Sequence, residues 1–177
     1  MKSKIIAVSA ISAALAALSL TIGAYVEFAD LFTLVVASVF VIMPIYFRSY
    51  KGCFLSFLAG GVIAFLFSGF NFISLVFPSY FAFFGIYPII KCIFDDKRFN
   101  KIVSYVVGLV WFVAVAYGMF FYYTLVMHGI FEGLPIWVMD NILYLIAPVA
   151  ALIFVIYERY ILVMRVAINR YLGRIIK

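Results

Sequence analysis

The stretch "AISAALAALSL", Ala10–Leu20, sets the problem of the fold. It is crowded with small residues, in a chain that elsewhere carries 21 Phe and 13 Tyr among 177 residues. It follows "MKSK", Met1–Lys4, and the two together imitate a secretory signal: a basic start, an apolar core, an alanine-rich patch. The apolar run, however, continues from Ile5 to Val26. That exceeds a signal core of about 7–15 residues and reaches the roughly 20 residues needed to cross a bilayer. On this reading Ile5–Val26 is a retained membrane helix.

Working outward, the rest of the chain has the same character. Apolar residues make up 69% of it, charged residues 11%, and mean hydropathy is +1.25. Soluble domains hold about 45–50% apolar and about 25% charged residues. So much apolar surface needs lipid as its solvent. Apolar runs at Ile5–Val26, Leu31–Phe47, Cys53–Phe70, Phe72–Phe94, Ile102–Met127 and Asn141–Met164 predict an all-α polytopic membrane protein. It has six transmembrane helices in a single domain over 1–177, ending in a basic tail at 165–177. Pro78 and Pro88 in the fourth run and Pro148 in the sixth predict kinks, because proline removes a backbone donor.

The charges orient this array. Lys2 and Lys4 precede the first helix, and Arg48 and Lys51 separate the second from the third. Lys91, Lys97, Arg98 and Lys101 surround the break between the fourth and fifth. Arg159, Arg165, Arg170, Arg174 and Lys177 close the chain. With six spans all of these fall on one side, and cytoplasmic loops are the ones enriched in Lys and Arg. Both termini are therefore expected in the cytoplasm of a multi-pass cell-membrane protein. The opposite loops hold Glu27, Asp30, His128, Glu132 and Asp140, and no Lys or Arg.

On a helix, residues four apart share a face. Ala10 with Ala14, and Ala13 with Ala17, make small-xxx-small pairs on the first helix. In lipid such faces permit close backbone approach, from which helix association gains. The partner is either another helix of this chain or a separate protein.

A short basic start, a small-rich first helix with two AxxxA steps ("AISAALAAL", Ala10–Leu18) and five further spans resemble the substrate-binding S component of energy-coupling factor transporters. "FAFFGIYPIIK", Phe81–Lys91, is similar to a segment of S-component-like membrane proteins. The resemblance implies a vitamin-like ligand taken up from the outside. It also implies docking of Ala10, Ala13, Ala14 and Ala17 against a T component that works with two ATPase subunits.

The residues themselves constrain function in the same direction. No GxxxxGK[ST] loop occurs, so ATP is not used through a P-loop of this chain. No charge is expected mid-span, where ion-coupled carriers keep one, which favours a passive binding subunit. His128 and Glu132 have i, i+4 spacing but fall short of a zinc ligand set, and Cys53 and Cys92 show no CxxC spacing. No catalytic triad is visible, so neither an enzyme nor a cofactor is expected. A ligand site is expected among Glu27, Asn71, Tyr80, Tyr123, His128, Glu132, Trp137 and Asn141 at the outer end, where aromatic walls and acids suit a neutral or cationic ring. Tyr and Trp also simply line membrane interfaces. Two alternatives stay open: a non-transporting membrane scaffold of the MreD type acting by protein contacts, and a small-molecule or lipid carrier of another kind.

Overall fold

The computed structural model describes residues 2–70, 74–126 and 136–175. The chain is an all-α, multi-pass membrane protein. Among the described residues, six helical stretches are long and apolar enough to span a bilayer: Ser3–Tyr25, Asp30–Phe47, Tyr50–Phe67, Val76–Asp96, Lys101–Leu125 and Asn141–Gly173. These match the six apolar runs, with ends that move by a few residues at most places.

Helix α1 covers Lys2–Tyr25, and α2 covers Asp30–Val41. Pro44 cannot donate to an α ladder, and beyond Ile42 the second span tightens into a 3₁₀ turn, Met43–Phe47. Arg48 then takes a left-handed conformation (φ 53°), which reverses the chain. Helix α3, Tyr50–Phe67, begins with Ser49 as its cap, whose Oγ accepts from the Gly52 N–H at 3.2 Å.

The fourth span is not one helix. It runs as α4 (Val76–Ser79), a π turn over Tyr80–Phe84, and α5 (Tyr87–Asp96). The π turn is closed by the Gly85 N–H donating to the Tyr80 carbonyl at 2.8 Å. Pro88 sits at the start of α5, where its missing N–H would have had no helical acceptor. The expected interruption is thus present, and it is a π turn between two short helices rather than a bend at a proline.

Helix α6 covers Lys101–Val126, and α7 covers Ile136–Ile175. Pro148 lies inside α7 without ending it. Nor does the helix stop near Met164 to release a separate tail. It continues as helix through the basic segment, because Arg and Lys are good helix formers and nothing between 165 and 175 breaks the ladder except the tolerated Gly173.

The tightest packing joins α1 to α3. Gly52, Ser56, Gly60 and Ala64 recur every fourth residue on α3, and all are buried. A Cβ at Gly60 would lie 3.2 Å from the Ala13 carbonyl oxygen and 3.1 Å from the Ala16 Cβ. The Ser56 hydroxyl is shared between the carbonyls of Ser9, across the interface at 2.8 Å, and Gly52, one turn back at 2.9 Å. On the α2 side, the Ser12 hydroxyl donates to the Phe40 carbonyl. Backbone proximity and hydroxyl bonds thus replace the hydrophobic effect, which is weak between helices in lipid.

This corrects half of the expected docking face. Ala13 and Ala17 are buried within the chain, together with Ser12, Ala16 and Leu20. Ala10 and Ala14 remain exposed, in line with exposed Ala7 and Leu18. The two AxxxA steps point to different surroundings, which spacing alone does not reveal.

A candidate ligand cavity above a buried charge network

Two ends of the bundle can be told apart by their contacts. At one, the Tyr25 hydroxyl donates to the Phe67 carbonyl at 3.1 Å, joining the last turns of α1 and α3. At the other, the first turn of α3, the last turn of α5 and the latter part of α7 meet through Tyr50, Asp96 and Arg165. The second is the basic end.

In the half away from the basic end, α2, α4, α6 and α7 diverge around a cavity of about 330 Å³. The interrupted fourth span contributes Leu75, Ser79 and Phe84 to its wall. Its wall is mainly aliphatic, with Leu34, Val115, Ala116, Met119, Val149 and Ile153 prominent. Asp30, at the first turn of α2, and Ser79, at the end of α4, are the charged and hydroxyl-bearing members of the lining. The size falls in the range of small-molecule pockets, about 300–1,000 Å³, and an apolar wall with few polar groups is typical of them.

The floor is aromatic. Phe84 and Phe112 line the cavity and pack edge to face, with centroids 5.9 Å apart. Below them Phe83 is fully buried. It stacks on Tyr87 at 4.6 Å and meets Phe112 at 4.8 Å, Trp111 at 5.7 Å and Tyr157 at 5.8 Å. Gly108 lets Tyr87 sit there: a Cβ on Gly108 would come within 2.7 Å of the tyrosine ring and of its oxygen.

Beneath this floor lies a buried charge network that the sequence reading did not anticipate. Lys91 on α5 and Glu158 on α7 are 5% and 4% exposed, and their charged atoms are 2.6 Å apart. The Tyr87 hydroxyl donates to the second oxygen of Glu158 at 2.7 Å. One turn further toward the basic end, Arg165 reaches Asp95 at 3.0 Å and Asp96 at 2.5 Å. Asp96 also accepts from the Tyr50 hydroxyl of α3, and Lys91 lies 3.9 Å from Asp95. Burying an ion pair is tolerable only where the partners satisfy each other, and these groups do so across three helices. Sorting charges by loop grouped Lys91, near the end of the fourth run, with the break that follows it, and left Glu158 unassigned. The readable signal was a Lys91-x3-Asp95 step on one helix and a lone acid inside the last apolar run.

Of the residues expected to bind ligand, Tyr80, Tyr123 and Asn141 have described side chains, and none of the three lines the cavity. Asn71, His128 and Glu132 lie outside the described residues. Glu27 falls in the short turn Glu27–Ala29, directly before the lining residue Asp30, and Trp137 lies in the first turn of α7; neither side chain is among those described. Tyr123 is half-buried on α6, and Asn141 is exposed on α7. Tyr80 is a correction: it is fully buried, gives its hydroxyl to the Phe57 carbonyl at 3.1 Å, and packs against Phe57 at 5.3 Å as core. The cavity itself is walled by aliphatic residues over Phe84 and Phe112.

Among the described residues no group of three or more His, Cys, Asp or Glu is placed to hold a metal. Cys53 and Cys92 are buried free thiols. Compared with protein families, curated proteins and solved structures, the chain matches none.

Proposed function

We propose that this chain is the membrane-embedded substrate-binding subunit of an energy-coupling-factor-type importer, seated in the cell membrane with its basic end in the cytoplasm. The observation that carries the reading is the apolar cavity of about 330 Å³, placed at the end opposite the basic one and closed below by the Phe83–Phe84–Phe112 layer. A cavity open to one side and sealed at the other by aromatic packing and a locked ion network suits a subunit that captures a molecule. Moving it inward then calls for work from other proteins. The resemblance of the first helix and of Phe81–Lys91 to S components supports the same reading.

The ligand this cavity suits is compact and mostly apolar, neutral or carrying one positive group that Asp30 could face. Where a T component docks, the side of α1 that remains available is the exposed strip through Ala7, Ala10, Ala14 and Leu18. Ala13 and Ala17 are already used within the chain.

Purification from its native membrane in mild detergent tests the reading directly. A T component and two ATPase subunits should accompany the wild-type chain, and mass spectrometry should find a small molecule released on denaturation. Ala116→Trp, which fills the cavity from α6, should lower retention of that molecule at least about tenfold, or about 1.4 kcal/mol. Recovery of cell-wall scaffold proteins without ATPases would favour the scaffold alternative and overturn the importer reading.

A further inference from the structure

We propose that the groove between α3 and α5 is a binding site for an anionic phospholipid, with one acyl chain in the groove and the phosphate on Lys51. This is independent of whether the chain serves an importer. The groove has a volume of about 550 Å³ and is walled by Phe54, Leu55, Ile86, Ile89, Ile90 and Ile93, with Tyr50 and Lys51 at its basic end. Phe54 and Leu55 are 46% and 62% exposed, so the groove opens to the lipid side of the bundle.

Its polarity runs in the sense of a phospholipid. From Ile86 to Ile93 the wall extends for seven residues of chain, on the order of 10 Å along the helix, and presents only aliphatic and aromatic surface. At the end of that path stands an exposed ammonium. Among the described residues, Lys51 has no acidic partner. The carboxylates at this end, Asp95 and Asp96, are engaged by Lys91, Arg165 and Tyr50. Lys51 also lies in the first turn of α3, where the helix dipole favours a negative group. Exposed Arg48, just before that turn, adds to the positive potential.

Of the other lateral grooves, a smaller one between α5 and α6 is lined by Lys91, whose ammonium is already paired with Glu158, and two more supply the comparison. One runs between α1 and α3, lined by Ala14, Leu18, Ile22, Ile63 and Phe67, and another between α2 and α7, lined by Phe32, Val35, Ile156 and Tyr160. Both are apolar and neither is lined by a cation. They suit any acyl chain, whereas the α3–α5 groove adds a headgroup contact that selects charge. A basic residue at the membrane surface attracts anionic lipid.

Native mass spectrometry of the full-length protein in mild detergent provides the test, with phosphatidylglycerol and phosphatidylcholine of identical chains as probes. Wild type should retain phosphatidylglycerol over phosphatidylcholine by about fivefold. Lys51→Gln should bring that ratio close to one while leaving the melting temperature unchanged. Ile90→Trp, filling the groove, should reduce retention of both lipids; if that variant is unstable, Leu55→Trp on the exposed rim serves the same purpose. Excess glycerol phosphate should not displace the lipid, since the acyl chain supplies part of the binding. A wild type without preference, a Lys51→Gln variant that keeps it, or a filled groove that retains phosphatidylglycerol as before would each overturn the assignment.

Discussion

Lys91 and Glu158 hold opposite charges where either alone would be costly. Removing one partner of a buried pair leaves the other uncompensated and typically costs about 3–5 kcal/mol, whereas replacing both with apolar groups is often neutral. Lys91→Met should therefore lower stability in detergent by about 3–5 kcal/mol, and the double change Lys91→Met with Glu158→Leu should recover most of it. Thermal unfolding of the two variants measures this; equal loss in both would show that packing, not charge, dominates the site. Tyr87→Phe should cost less, about 1–3 kcal/mol, since it removes one hydrogen bond to a charged acceptor. At this scale the sequence was least legible. Lys91 reads as one of four cations near a loop, and only the fold shows that it points inward to an acid 67 positions later, 2.6 Å away.

Among elements, the pairing of α1 with α3 separates residues that look alike on paper. Gly60→Leu should force the helices apart, because its side chain would meet the Ala13 carbonyl and Ala16. Overpacking of this kind costs about 1–3 kcal/mol or more. Ala14→Leu, on the exposed strip of the same α1, should change stability by less than about 0.5 kcal/mol. A melting series on these two variants checks the division, and a large loss from Ala14→Leu would mean that this strip is internal. The six spans were readable because length and hydropathy decide them. The small face of α1 was readable too, but its partner was not: the matching ladder Gly52, Ser56, Gly60, Ala64 is visible only when the four-residue step is sought on α3 as well. The π turn was half legible. Two prolines announce a break, yet its form depends on Gly85, where a Cβ would lie 2.3 Å from the Phe57 ring.

For the whole molecule, the charge distribution and the antiparallel order of spans make a prediction about sidedness. Cysteines introduced at Lys97 and at Gly69 should react with impermeant maleimide from opposite faces of the membrane, the first only from the cytoplasmic side. Native Cys53 and Cys92 are buried and should give little background. Labelling of both positions from one face would contradict six alternating spans. The cavity, too, was hidden from the sequence. A cavity of this kind depends on how the helices are spaced, and its wall draws on four spans separated by up to 123 residues, from Asp30 to Ile153. Polar residues in outer loops are conspicuous in a sequence; the aliphatic residues that line this hollow look like any others in a membrane protein.

The ion network also bears on how the chain is made. A charged residue near the centre of a newly inserted helix costs about 2.5–3.5 kcal/mol on insertion scales, and less near an end from which a lysine can snorkel. Synthesis delivers the fourth span, with Lys91, long before α7 brings Glu158. Until then Lys91 has only Asp95 of its own helix, at 3.9 Å, as a partner. The fourth span should accordingly wait in a shallow, water-contacting position and settle only when the last helix arrives. A ribosome-stalled chain ending after Val126 should leave a cysteine placed at Ile90 open to aqueous reagent, and extension through Arg165 should close it. Protection in both chains would show that the fourth span inserts fully on its own.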